Sequence, residues 1–332
     1  MTRRQRVLDA IDHKQTDFVP YQVDLTFAAA DKLIEYTGNA DFLSTFGNHI
    51  SGTSYGGFTE VNPNYFQDYF GVVWNRTVDK DIGVVEEYLL PEPSMGSYKM
   101  PEIDEQALRR NCETCLSAAG DTAAIFFIGF SMFERAWTLR GMENLLTDMV
   151  TEPDFVHELL GAICEHNLKI LDIVLEYPFD GQYFGDDWGQ QSGLIMGPKM
   201  WREFIKPQVA KMYAKVKSKG RFIVQHSCGD INEILPDVIE IGLDVYQTFQ
   251  PEIYDFKAVK KEYGKDLSFW GGISTQRDLP YVTPERVKEI VHDTINILGQ
   301  NGGYIAGPTH AIPGDVPPAN IIALIEALQN QA

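Results

Sequence analysis

The chain has 332 residues, 44% hydrophobic and 23% charged, a globular composition long enough to bury a large core without disulfides or structural metals. Lys and Arg number 28 against 47 Asp and Glu, a net charge of −19. Such a surface repels phosphate backbones and anionic headgroups, so neither nucleic acid nor a membrane is an expected partner.

No window holds the ~18 consecutive apolar residues of a membrane span. The basic start, Met1 to Arg6, runs into Val-Leu-Asp-Ala-Ile-Asp rather than an apolar core, so no signal peptide is expected. Four cysteines then read as reduced thiols in the cytoplasm.

Residues 3–13 predict a short amphipathic helix with Val7, Leu8 and Ile11 as its stripe. Residues 18–24 predict a first strand, and 27–37 a helix stopped by Gly38. From about 44 to 101 the pattern is irregular. There, 52–57 has loop composition, while 72–77 and 83–90 predict paired strands, so the stretch holds one barrel strand plus an inserted hairpin. Its tyrosines 55, 65 and 69 and Phe58 are expected over the barrel mouth, because long irregular segments in compact domains are usually functional.

After residue 104 strands and helices alternate. Strands are expected at 123–129, 181–185, 221–226, 244–247, 267–270 and 303–306. Helices are expected at 104–119, 131–150, 153–176, 198–218, 231–241, 255–263, 284–298 and 317–329. With 18–24 and one strand inside 44–101, eight parallel β/α units result. That favours an α/β fold of the (β/α)8 TIM barrel type, one domain over 1–332 with an N-terminal elaboration.

Barrel chemistry sits at the C-terminal ends of the strands. Asp186-Asp187-Trp188, His226-Ser-Cys228, Gln247 and Gly307-Pro-Thr-His310 follow four of the apolar runs. Imidazole and thiolate are both zinc ligands, and His226 with Cys228 can bend onto one ion where strand gives way to loop. His310 is the candidate third ligand, which leaves an open, catalytic position. A small buried Cys beside a hydrogen-bonded His is the alternative. Asp186 and Asp187 are the candidate catalytic acids; strand alternation sends their side chains different ways, so at most one points inward. Either could instead cap a helix. Tyr183, Trp188, Gln247 and Trp270 are candidates for the substrate pocket, with core packing the alternative. Cys112 and Cys115 share a helix face and read as buried apolar residues, Cys164 and His166 as packing and surface residues, and histidines 13, 157 and 292 as solvated helix faces. His49, in the glycine-rich stretch, is at most a residue of the pocket mouth.

His226-Ser-Cys-Gly-Asp-Ile231, Leu235 to Asp244, Phe269-Trp-Gly-Gly-Ile273 and Gly302 to Ile312 resemble the uroporphyrinogen decarboxylase superfamily. Asp68-Tyr-Phe-Gly71, Gly185-Asp-Asp-Trp188 and the Val-Pro pair at 19–20 fit as well. The resemblance implies a (β/α)8 barrel. The decarboxylase branch carries an Arg-Gln-Ala-Gly-Arg segment that grips the substrate's carboxylates; here that stretch reads Tyr21-Gln-Val-Asp-Leu-Thr-Phe27, without arginine. The chain is more similar to the corrinoid-linked methyltransferase branch, where a His-x-Cys pair binds zinc. That branch's best-known members place a Cys where this chain has His310. The implied function is zinc-dependent methyl transfer, including O-demethylation, between a small methyl ether, thiol or amine and a corrinoid (cobalamin) on a carrier protein. The alternatives are a decarboxylase and a barrel that binds a corrinoid without turnover.

Overall fold

The computed structural model describes residues 1–331. A seven-stranded sheet runs in chain order: β1 (Ile50–Ser54), β2 (Ala123–Ile128), β3 (Gly181–Gly185), β4 (Phe222–His226), β5 (Val245–Thr248), β6 (Ser268–Ile273) and β7 (Tyr304–Pro308). The β2–β3, β3–β4, β5–β6 and β6–β7 ladders are parallel. The expected first strand takes the eighth place as two isolated parallel bridges to the β7 side, Tyr21 with Ala306 and Leu25 with Ile312. Its other edge meets β1, where His49 N–H donates to Tyr21 O at 3.1 Å. The fold is the expected α/β barrel.

The chain packs as two compact units. One comprises Met1–Ser51, Ala119–Ala124 and the chain from Asp244 onward. It carries helices α1 (Arg3–Ile11) and α2 (Phe27–Thr37), which Thr26 caps by accepting from Ala29 N–H and Gly38 ends at φ 65°. Strands β5 to β7 follow in this unit, with helices that, after the eight of the chain's earlier part, are numbered α9 (Phe256–Tyr263), α10 (Pro284–Leu298) and α11 (Pro318–Gln329). Phe249, Phe269 and Tyr254 stack in its core.

The other unit comprises Gly52–Ala118 and Ile125–Leu243. It holds β3 and β4 with helices α3 (Glu105–Ala118), α4 (Phe133–Arg140), α5 (Met142–Thr151), α6 (Pro153–Val174), α7 (Lys206–Lys217) and α8 (Leu235–Glu240). The single helix expected over 131–150 is two, because Gly141 sits at φ 91°, ψ 136° between α4 and α5. The irregular stretch contains a four-stranded antiparallel sheet, Phe58–Asn62, Tyr65–Asp68, Val73–Asn75 and Val84–Val85, in which the expected pairing appears as Trp74 with Val85 and Asn75 with Val84. Residues 52–54, read as loop, belong to β1 instead. Gly52 is there because a Cβ would lie 1.8 Å from the Phe127 ring.

Buried ion pairs tie this sheet to α4, through Asp68, and α4 to α5, through Asp148. Asp68 accepts from the N–H groups of Phe70 and Val72, from the Trp74 indole and from Arg135 at 2.7 Å. Arg140 donates to Asp148 at 2.7 Å. Among the described residues, no helix is long and apolar enough to cross a membrane.

Candidate metal centre

Strand β4 ends at His226, and the chain turns at Gly229 with φ +79°. That turn lies against the segment after β3. Asp230 N–H donates to Gln190 O at 2.8 Å, and Trp188 N–H donates to Ser227 Oγ at 2.9 Å. The two backbones touch where glycines face each other: a Cβ on Gly229 would lie 2.2 Å from the Gly189 carbonyl carbon. Cys228 is therefore held by its backbone.

Within this pinned turn, Cys228 Sγ lies 3.7 Å from His226 Nε2. Asp187 joins both residues. Its Oδ1 accepts from Cys228 N–H at 2.7 Å and lies 3.4 Å from His226 Nε2. Burial pushes the Asp187 carboxyl up, but the hydrogen bond and charge of His226 outweigh it and hold the group at about 2. Burial alone would lower His226; Tyr183, Asp187 and Cys228 around it reverse that and raise it well above the ordinary histidine value. Burial raises the Cys228 thiol, and His226 works against that rise. The Tyr183 ring lies 6.1 Å from the His226 ring and 4.8 Å from Phe127, an aromatic wall beside the pair.

The adjacent acid points elsewhere. Asp186 is fully buried and accepts from the N–H groups of Met132, Phe133 and Glu134 at 3.1, 3.0 and 2.8 Å, and from the Trp188 indole. It caps the start of α4, where unpaired N–H groups and the helix dipole favour a carboxylate. Burial still pushes it up to about 6. Trp188, a pocket candidate, has no exposed surface; its ring packs edge-on against Trp201 at 5.2 Å.

Glu134 is a residue that the sequence reading missed. Burial, and then the charges of Asp187 and Asp186, push its carboxyl well above the ordinary value. It stands in the first turn of the helix that follows the strand at 123–128, among apolar neighbours that read as packing. The sequence signal is the charged Glu-Arg pair at 134–135, just past the C-terminal end of that strand.

The remaining candidates lie in the first unit. Thr309 is fixed from three sides: its N–H donates to Ile273 O at 2.9 Å, its carbonyl accepts from Gln247 Nε2 at 3.3 Å, and its hydroxyl lies 3.1 Å from that of Thr275. His310 follows it and is exposed. Trp270 is buried in β6, in register with Ile305.

Other side-chain expectations divide. Cys112 and Cys164 are buried. His166, expected partly at the surface, is 3% exposed, with its Nε2 3.3 Å from the Tyr69 hydroxyl. His157 is exposed, but His13 lies beyond the end of α1 at φ 54° and is half-buried. His49 is 2% exposed and packs against Tyr21 and Phe18. Tyr55, Phe58 and Tyr69 line a cavity of about 480 Å³ with Asp68, Asp104 and Asn111. Tyr65 is elsewhere, accepting from Asn75 Nδ2.

The uroporphyrinogen decarboxylase (URO-D) family model matches residues 78–331. Similar curated proteins include a uroporphyrinogen decarboxylase of Chlorobaculum parvum, 27% identical over 221 residues, which cover 62% of this chain and 60% of the relative. They also include the methylated-thiol–coenzyme M methyltransferase of Methanosarcina mazei, 22% identical over 195 residues, 59% of this chain and 50% of the relative. The chain thus spans about 60% or less of the length of these relatives. Among solved structures, a methyltransferase from Methanosarcina mazei superposes with a TM-score of 0.75 at 16% identity, over 99% of both chains, and so shares the fold. Matched by its family model over well more than half its length, the chain belongs to the uroporphyrinogen decarboxylase (URO-D) family, whose relatives include both decarboxylases and a methyltransferase.

Proposed function

We propose that this chain is a zinc-dependent methyltransferase that moves a methyl group between a small methylated ether, thiol or amine and a corrinoid carried by a partner protein. The observation that carries the reading is the His226–Cys228 pair. Two ligands of one tetrahedral zinc, at ~2.05 Å for nitrogen and ~2.3 Å for sulfur, are separated by about 3.6 Å; these two donor atoms are 3.7 Å apart. A thiolate with an imidazole also suits zinc better than magnesium or calcium. In this reading His310, which offers an imidazole nitrogen, is the third ligand. Zinc bound there supplies Lewis acidity, enough to polarise an ether oxygen or to lower a substrate thiol's pKa.

The chain's own residues do the rest. Asp187 orients His226 and fixes the Cys228 backbone, as carboxylates behind metal-bound histidines do. Thr309, held by Ile273, Gln247 and Thr275, sets the start of the segment that presents His310. Tyr183 offers an apolar face next to the pair, and Trp270 is the pocket candidate of the other unit. The test is elemental analysis with a transfer assay. Stoichiometric zinc that is lost in Cys228→Ala, together with methylation of cob(I)alamin from one of a panel of ethers, thiols and amines, is the expected result. Metal-free, folded protein that transfers no methyl group overturns it.

Decarboxylation is the second reading, favoured by the names of most of the similar curated proteins. Weighing against it, residues 21–27 contain no arginine, and the buried Arg135 and Arg140 are each engaged by a carboxylate.

A further inference from the structure

Four lysines from residues 257 to 265 gather in the first unit. Lys257, Lys260 and Lys261 share one face of α9, being three and four residues apart, and Lys265 follows in the turn toward β6. With Gln300 and Asn301, from the turn that leads to β7, they line a concavity of about 520 Å³. It lies at the N-terminal ends of β6 and β7, the opposite end of those strands from Thr309 and His310.

In a chain with 47 acidic residues this is unusual. Several cations elsewhere are met by carboxylates, among them Arg3 by Asp121, Arg202 and Lys206 by Asp237, and Lys288 by Glu326. Among the described residues, none of these four lysines has an ion-pair partner. Glu262 and Asp266 are neighbours in sequence but do not line the concavity. Lys260 is half-buried and donates to the neutral carbonyl of Gly302 at 2.6 Å. Burial without a counter-charge lowers its pKa to about 8, and an anion beside it would reverse that.

We propose that this concavity binds a small, multiply charged phosphoanion, with the four lysines supplying the charge and the amides of Gln300 and Asn301 fixing its orientation. Like charges gathered around one concavity, with Lys260 half-buried at its wall, raise the local concentration of a counter-ion. The volume is that of a small-molecule site rather than of a flat protein interface. This site is independent of the reading of the His226–Cys228 pair.

The experiment is calorimetric titration of the full chain with inorganic phosphate, pyrophosphate and a nucleoside diphosphate, at low and physiological salt. Pyrophosphate should bind more tightly than phosphate and weaken as salt rises. A nucleoside diphosphate tighter than pyrophosphate would identify an organic phosphate; equal affinity, an inorganic one. The Lys257→Gln/Lys261→Gln double variant should lose about tenfold or more, the scale of a charge-assisted hydrogen bond. Lys265→Gln, a single change at an exposed residue, should weaken binding in the same direction without altering the circular dichroism spectrum. Absence of binding at millimolar pyrophosphate, or affinity unchanged in both variants, overturns the proposal. So does binding of poly-glutamate without pyrophosphate, which would make this face a docking surface for an acidic protein.

Discussion

Asp187 accepts the backbone N–H of Cys228 at 2.7 Å and lies 3.4 Å from the Nε2 of His226, so one carboxylate spans both donors of the candidate centre. Its value of about 2 keeps it ionised wherever the protein is folded near neutrality. Asp187→Asn keeps the size but removes the charge. Zinc affinity should fall about 10–100-fold, the usual effect of removing a carboxylate behind a metal-bound histidine. Competition with a chromophoric chelator measures it. Unchanged affinity would mean that Asp187 does not act on the metal.

The neighbouring acid predicts a different phenotype. Asp186 accepts from three backbone N–H groups and one indole, with no exposed surface. Asp186→Ala strands these donors and removes the cap of α4, so unfolding should become easier by about 2–4 kcal/mol. Chemical denaturation measures this. A loss below about 0.5 kcal/mol would show that water replaces the carboxylate.

Acid sensitivity should come from two buried histidines. His49 and His166 each have a pKa lowered to about 4, first by burial and then by nearby cations. A depressed histidine disfavours protonation in the folded state, so the unfolded chain binds protons first. Stability is then intact above the unfolded value of about 6.5 and falls as pH drops toward 4. Each should cost about 2 kcal/mol between pH 7 and 5. Urea unfolding of His49→Phe across that window should show a shallower slope than the parent; an identical slope would remove His49 as a cause.

Much of this was readable from the residues. The barrel order followed from alternating apolar runs and helical stripes, and His226 with Cys228 from their place after one such run. Alternation also foretold that Asp186 and Asp187 would part company. What escaped notice lacked periodic signal. β1 read as a loop because it carries Gly52 where Phe127 needs the space. The buried Arg135–Asp68 pair joins residues 67 apart in sequence, which no local pattern reveals. Glu134 hid because a helix N-terminus rich in apolar neighbours reads as packing.

The turn that carries Cys228 depends on one glycine. Gly229 has φ +79°, and its Cβ would sit 2.2 Å from the Gly189 backbone, an atom that cannot rotate away. Gly229→Ala must therefore push the 227–230 turn off the 188–190 segment and break the Asp230 to Gln190 hydrogen bond. Left-handed strain alone costs about 1 kcal/mol for alanine, and the clash should raise the loss to about 2–4 kcal/mol. Gly220 is the matched control, since its φ is +65° but nothing lies within 4 Å of its Cβ. Gly220→Ala should show the strain alone and keep its zinc. Gly229→Ala should lose both stability and zinc, because moving the turn separates Sγ from the imidazole. Equal melting temperatures and equal zinc contents for the two variants would mean that the turn yields without moving Cys228.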